Sequence, residues 1–265
     1  MEYKLLDVLR EEVKENRKAA LVTVTKAMGS TPRKTGSMMV VFQNGRTYGT
    51  IGGGKFEIAA IHAAVKSLEE GKSGSFHFQL NDEVGSLQMQ CGGEADVFIK
   101  VFVPNHKLML VGGGHIALSL YELGKKLGFF TVVFEDREEY ANKARFPDVD
   151  EIQLGNIEEK LQNYPIDETC YIVIVTRGHQ ADESALKSVI HSNAAYIGMI
   201  GSKNKTAYIL DNLRKEGIPQ DTIDKLYAPI GLGLGGETPE EIALSILAEI
   251  LLVKNNGRFI HMKDK

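Results

Sequence analysis

The chain has 265 residues, a formal net charge of −4 and 43% apolar residues. These values are typical of a soluble globular protein with one large domain or two small ones. The small negative charge argues against a nucleic-acid-binding protein, and no apolar run reaches the ~20 residues that cross a membrane. The two cysteines cannot build a disulfide framework, and the first residues lack the apolar core of a signal peptide. We therefore expect a cytoplasmic protein with reduced thiols.

The first half of the chain predicts a small α+β domain over residues 1–103. Apolar residues at helical spacing predict helices over 3–17 and 55–70. The β-rich runs predict strands over 20–25, 38–42, 47–51, 75–80 and 95–103. Asn44-Gly45 lies between two of these runs and is a strong hairpin signal. The second helix is expected to bury a side formed by Ile58, Ile61, His62, Val65 and Leu68.

After Pro104-Asn105, which we take as the domain boundary, strands and helices alternate. The predicted strands are residues 107–111, 130–134, 171–175 and 195–200. The predicted helices are residues 116–127, 181–191, 204–216 and 239–254. Alternation of this kind favours a parallel, doubly wound, Rossmann-like sheet over residues 104–265. Thr238 followed by a proline and two glutamates gives the last helix a well-defined start.

A glycine-rich turn joins the first strand and helix of this second domain. It reads Gly112-Gly113-Gly114-His115-Ile116-Ala117, which fits the dinucleotide-binding motif G-x-G-x-x-[GA]. The next strand ends in Glu135, where such folds place the carboxylate that binds the ribose 2′-hydroxyl. Arg137 is an alternative partner for a 2′-phosphate, so the sequence leaves NAD and NADP both open as ligands.

Polar residues also follow the later strands of this half. Arg177 and His179 come directly after the most apolar strand, where Arg177 can pair with a phosphate and His179 can move a proton near neutral pH. Asp182 lies three residues further on; the alternative is that it only caps the next helix, but we favour a functional role for this group. Ser202 and Lys203 follow the next strand and suit an anion. Open α/β sheets bind ligands at this edge.

The amino-terminal half carries a second group of candidate residues. Its loops contain a cation, a helix start rich in backbone N–H groups and a thiol between polar and glycine residues, namely Arg33, Gly52, Gly53, Gly54, Glu57, Cys91, Gly92 and Gly93. Glycine-flanked N–H groups can lower a thiol pKa or bind an anion. If these loops converge, they suit a polyanionic, sulfur-bearing ligand. Too few Cys, His and carboxylate side chains cluster here for a metal held by protein alone.

These motifs together resemble the XdhC/CoxI family of accessory factors for xanthine dehydrogenase and related molybdenum hydroxylases. In the first half the resemblance rests on residues 29–33, 49–54 with Glu57, and 89–93. In the second half it rests on residues 111–115, 145–147, 176–182, 196–203, 228–232 and 237–243. Gly233 and Gly236 depart from the pattern, which has Asp and Ala at these places.

The resemblance implies a chaperone that binds the molybdenum cofactor (molybdopterin-bound molybdenum) as cargo. A separate cysteine desulfurase would exchange an oxo ligand for sulfide, and the loaded cofactor would pass to the hydroxylase. Cys91 would then ligate molybdenum as a soft thiolate, shield it, or relay sulfur. We expect no independent turnover and a homodimer. The residues also leave open an NAD(P)-dependent oxidoreductase with His179 as proton donor, and a nucleotide-sensing module.

Overall fold

The computed structural model of the chain describes residues 2–28, 34–80 and 93–264. The chain forms two compact units, Met1–Pro104 and Asn105–Lys265. Among the described residues, no helix has the length and apolar character needed to cross a membrane.

The first unit is an antiparallel sheet with a helix against each face. Its elements are α1 Glu2–Lys14, β1 Ala19–Met28, β2 Met38–Phe42, β3 Thr47–Gly49, α2 Gly54–Glu70, β4 Gly74–Leu80 and β5 Gly93–Phe102. The strand order is β3-β2-β1-β5-β4. The predicted hairpin is confirmed, since β2 and β3 pair antiparallel and Gly45 takes a φ of +77° in the turn between them. Alternate residues of β1 face opposite cores, one with Leu5 and Leu9 of α1 and the other with α2.

The predicted buried side of α2 is correct in part, since Leu68 is fully buried and Ile61 and Val65 pack against the core. Ile58 is 54% exposed and His62 is exposed, whereas Phe56, Ala60 and Ala64 are buried against the sheet. Alanines at the contact allow a helix axis to approach a sheet closely, and the aromatic ring of Phe56 packs edge-on against Phe78 at 5.7 Å. The predicted side is therefore rotated from the observed one, because it includes Ile58 and His62 and misses Phe56 and the small alanines.

The second unit is a parallel sheet covered on both faces. Its elements are β6 Lys107–Val111, α3 His115–Lys126, β7 Phe130–Glu135, β8 Glu151–Leu154, α4 Ile157–Asn163, β9 Cys170–Ile174, α5 His179–Val189, β10 Tyr196–Met199, α6 Lys203–Lys215, α7 Gln220–Ile223 and α8 Pro239–Lys254. The strand order is β10-β9-β6-β7-β8, and all these pairs are parallel. The Rossmann-like prediction is confirmed. Three short elements, β8, α4 and α7, were not predicted, because four to seven residues are too few to show a clear period.

Successive residues of the strands point to two separate cores. Met109 and Ile172 pack with α4, α5 and α6, whereas Leu110 and Val173 pack with α3 and α8. Helix α8 begins as predicted, at a capping box formed by Thr238 and Glu241. The order of the strands reverses at β6, so the carboxyl ends of β6 and β9 open a crevice between helices that lie on opposite faces of the sheet.

Candidate functional site

A cleft of about 170 Å³ lies at the carboxyl edge of the parallel sheet. It is lined by Gly112, Glu135, Asp136, Arg137, Ile157, Thr176, Arg177 and Ala181. These residues follow β6, β7 and β9 or begin α4 and α5. The cleft therefore lies where the strand order reverses, which is the position at which open α/β sheets bind their ligands.

The glycine-rich turn has the geometry that the dinucleotide motif requires. Gly112 has a φ of +112°, and a Cβ atom there would lie 2.6 Å from the carbonyl oxygen of Val175. Gly114 is the residue before α3, and a Cβ atom on it would meet no atom of the described residues within 4 Å. Ala117 is fully buried between helix and sheet. The open position at Gly114 leaves room for a ligand to approach the N-terminus of α3.

The side chain of Glu135 points into the protein, and both of its carboxylate oxygens accept hydrogen bonds from neighbouring residues. One carboxylate oxygen accepts from the backbone N–H of Gly113 at 2.8 Å and from Arg137 Nη2 at 3.0 Å. The other accepts from Arg137 Nε at 2.9 Å and from the backbone N–H groups of residues 136 and 137. Burial alone would raise the pKa of this carboxyl, but the hydrogen bonds from Arg137 and its neighbours outweigh burial and lower the pKa to about 2.

Gly113 is held from two sides. Glu135 accepts from its N–H group, and Arg145 Nε donates to its carbonyl oxygen at 2.9 Å. A Cβ atom on Gly113 would lie 2.3 Å from the carbonyl oxygen of Tyr140, whose ring stacks against the guanidinium of Arg137 at 4.1 Å. The charged residues around the turn thus fix its backbone. Arg145 belongs to a motif quoted for the resemblance, but the sequence assigned it no contact.

The next acid, Asp136, is turned outward. Its side chain is 63% exposed, and its nearest cation is Arg137 Nε at 3.6 Å. A side-chain hydrogen bond with Glu135, followed by burial and by the negative charge of Glu135, raises the pKa of Asp136. Both acids line the cleft, but only the carboxylate of Asp136 is exposed there, whereas that of Glu135 is buried. The motif spacing fits both acids and does not say which way either side chain points, so the sequence favoured Glu135.

The turn after β9 is fixed by a buried ion pair that the sequence did not predict. Asp182 is fully buried and accepts from the N–H of Thr176 at 3.0 Å and from its hydroxyl at 2.6 Å. Lys205 of α6 donates to the other oxygen of this carboxylate. Gly201 makes room for the lysine, because a Cβ atom there would lie 3.3 Å from Lys205 Cδ. Asp182 thus joins two neighbouring strand–helix units.

The remaining predicted residues of this edge differ in their surroundings. Arg177, His179, His115 and Lys203 are exposed. Ser202 caps α6 by accepting from the N–H of residue 205 at 3.3 Å. The structure brings Arg177 to the cleft with Glu135 and Arg137, and ligand contacts by all of these residues stay predictions.

In the first unit, Glu57 organises the glycine-rich turn before α2. One of its carboxylate oxygens accepts from the Thr50 hydroxyl, from the N–H of Ile51 at 2.9 Å and from the N–H of Gly53 at 3.0 Å. Burial raises the pKa of Glu57, but these hydrogen bonds outweigh it and the net pKa is lowered. Two of the glycine N–H groups that the sequence offers to an anion are thus used within the chain, since Gly53 donates to Glu57 and Gly52 donates to Thr50 Oγ1 at 3.1 Å.

The structure describes one of the two cysteines, Cys170. Arg33, Cys91 and Gly92 lie outside the described residues, and Gly93 begins β5 as a buried residue paired with Leu80. Cys170 is fully buried in the second unit, and burial raises the pKa of its thiol. Cys170 is therefore poorly suited to reactive chemistry.

Two family models match the chain. Residues 108–250 match the XdhC Rossmann domain, and residues 13–79 match the XdhC and CoxI family. The first match alone covers more than half of the chain. The chain belongs to the XdhC and CoxI family. The resemblance inferred from the motifs is thereby confirmed.

Three curated relatives and one solved structure place this XdhC and CoxI member in context. The uncharacterized protein YqeB of Escherichia coli K12 is 35% identical over 251 residues, which cover 92% of the chain and 45% of that protein. A protein of Bacillus subtilis 168 described as a probable xanthine dehydrogenase subunit is 30% identical over 156 residues, covering 59% and 45%. The chain thus spans about half the length of these two relatives.

In the other two matches, the aligned region covers most of this chain and most of the similar protein. The molybdenum cofactor insertion chaperone PaoD of Escherichia coli K12 is 20% identical over 280 residues, covering 92% of the chain and 86% of that protein. A crystal structure of a xanthine dehydrogenase from Bacillus halodurans covers 96% of both chains with a TM-score of 0.54 and 21% identity. At that identity the likeness shows a shared fold.

Proposed function

We propose that this chain binds the molybdenum cofactor as cargo and serves the maturation of a molybdenum hydroxylase of the xanthine dehydrogenase type. The observation that carries the proposal is the family match in both halves of the chain, at residues 13–79 and 108–250. A relative named as a molybdenum cofactor insertion chaperone aligns with 92% of the chain. A chaperone needs no turnover of its own, so the proposed role is binding and transfer.

The chemistry of the first unit supports a cargo with phosphate and sulfur. Arg33 and the backbone N–H of Gly54 would hold the phosphate, while the N–H groups of Gly52 and Gly53 keep this turn in shape by donating to Thr50 and Glu57. Cys91 would meet the molybdenum or its sulfur ligand as a soft thiolate. A separate cysteine desulfurase would supply the sulfide, and the protein would act as a homodimer in the cytoplasm.

The two cysteines provide a matched test of cargo binding. The protein is purified without oxygen from a host that makes the cofactor, and molybdenum and pterin are measured per chain. Cys91→Ser should lower retained molybdenum at least about tenfold, which corresponds to about 1.4 kcal/mol of lost binding. Cys170→Ser should retain as much molybdenum as the wild type, because the thiol of Cys170 is fully buried in the second unit.

Each result has a distinct meaning. Wild-type protein without molybdenum or pterin would contradict the cargo function. Equal retention by Cys91→Ser and wild type would remove Cys91 from the site and leave the function standing. Circular dichroism of both variants checks that a loss of molybdenum is not a loss of fold.

A second candidate function is nucleotide binding by the second unit, and a specific observation favours it. The cleft lies beside a glycine-rich turn at the reversal of the strand order. Bound NAD or NADP would serve either an oxidoreductase, with His179 as proton donor, or a nucleotide-sensing module. Calorimetric titration of the full chain with each nucleotide tests this candidate, and the absence of heat with both would refute it.

A further inference from the structure

The carboxylate that the motif assigns to the ribose is unavailable in this fold. Glu135 is 2% exposed, and its two oxygens accept from Gly113 and Arg137 and from the adjacent backbone. A ribose hydroxyl would have to displace one of these charged hydrogen bonds. Because a buried charge left without its partner is costly, the exchange is unfavourable.

Asp136 has the properties that Glu135 lacks. Its carboxylate is 63% exposed and lines the same cleft. It follows Glu135 directly in the chain, so both acids lie at the end of β7, the strand next to the glycine-rich turn. Its ion pair with Arg137 is long, at 3.6 Å, so this exposed carboxylate can accept hydroxyl hydrogen bonds while keeping that contact.

The rest of the cleft suits the nucleoside that such hydroxyls would belong to. Ile157 and Ala181 give it apolar walls from α4 and α5, and Arg177 adds a planar cation that can stack on a base. Its volume of about 170 Å³ is below the ~300–1,000 Å³ of pockets that enclose a whole drug-sized ligand. The cleft therefore has room for one portion of a dinucleotide, with Gly114 and the start of α3 open for the phosphates.

We propose that this cleft binds the nucleoside portion of an NAD-type dinucleotide, and that Asp136, rather than Glu135, accepts the ribose hydroxyls. Glu135 is a positioning residue that holds Gly113 and Arg137 in place. This inference rests on the second candidate function, nucleotide binding by the second unit.

The same arrangement disfavours NADP. A 2′-phosphate would face the carboxylate of Asp136, which has the same charge. The cation that the sequence offered for this phosphate, Arg137, already donates from Nε and Nη2 to Glu135. NAD should therefore bind at least about tenfold more tightly than NADP, a difference of about 1.4 kcal/mol.

Calorimetry on the full chain with NAD and NADP tests the assignment. Asp136→Asn should weaken NAD binding at least about tenfold and narrow the preference for NAD over NADP. Glu139→Gln is the matched control, because Glu139 is an exposed acid in the same connection and does not line the cleft. This control should bind NAD as the wild type does.

Three results would overturn the inference. Unchanged NAD affinity in Asp136→Asn would remove Asp136 from the site while nucleotide binding stands. A wild type that prefers NADP would contradict the charge argument. A wild type that binds neither nucleotide would refute nucleotide binding and the inference with it, and the cargo function would be unaffected.

Discussion

Replacing Glu135 with glutamine should destabilise the second unit strongly. The carboxylate oxygens accept only from N–H donors, namely those of Gly113, Asp136 and Arg137. An amide has one acceptor oxygen and one NH₂ group, so in either orientation its NH₂ group faces another donor. The guanidinium of Arg137 also loses the anion that balances its charge. Breaking a buried pair from one side costs about 3–5 kcal/mol.

The lowered pKa of Glu135 reflects the same hydrogen bonds and makes the stabilisation depend on pH. The pKa is about 2 in the folded chain against an ordinary value of 4.5, and this difference corresponds to about 3 kcal/mol. Because the pKa is lowered by folding, the stabilisation is complete above pH 4.5 and is lost as the pH falls towards about 2. The difference in free energy of unfolding between wild type and Glu135→Gln should therefore be largest near neutral pH and narrow in acid.

Urea denaturation at about pH 7 and about pH 3 measures this difference. Because the two units can unfold separately, hydrogen exchange of the peptide that contains Gly113 identifies which transition has changed. Glu139→Gln is the control and should change stability by less than about 0.5 kcal/mol. A loss below about 1 kcal/mol for Glu135→Gln near pH 7 would refute the reasoning, and so would a difference that does not narrow at low pH.

Two further pairs of substitutions test packing in the second unit. Lys205→Met leaves the fully buried carboxylate of Asp182 without its cation and should lower the free energy of unfolding in urea by about 3 kcal/mol. The exposed control Lys203→Met should lower it by less than about 0.5 kcal/mol. Equal losses in the two variants would show that the ion pair is not the cause of the destabilisation. Gly236→Ala places a Cβ atom 2.4 Å from the Cβ of Glu241 and should cost about 1–3 kcal/mol in thermal unfolding, whereas Gly233→Ala meets open space among the described residues. Gly236→Ala as stable as Gly233→Ala would contradict this close contact.

Most of the second unit could be predicted from local patterns. Alternating apolar strands and amphipathic helices, with Gly112 where φ must be positive, specify a doubly wound sheet one unit at a time. The short elements β8, α4 and α7 escaped prediction because their few residues are stabilised by neighbours rather than by their own pattern. In the first unit, the hairpin at Asn44-Gly45 could also be predicted from a local pattern, because the turn itself requires those residue types.

The sequence predicted where the candidate site lies, but only some of the residues that form it. The carboxyl edge followed from the motif order, but two contacts were visible only in the structure. Lys205 reaches Asp182 across 23 positions of sequence, and Arg145 reaches the Gly113 carbonyl across 32. Neither contact leaves a local spacing that a reader of the sequence can recognise.

Residues close together in the chain were enough to predict the alternation of strands and helices and the position of the glycine-rich turn, and a series of such local motifs in order was enough to indicate the family. Which of the two adjacent acids turns inward depends on the folded structure. Glu135 is drawn in by the Gly113 N–H, 22 positions away, and by Arg137, while Asp136 is left facing the cleft. The direction of a side chain depends on which donors surround it after folding, and that information is absent from any single stretch of sequence.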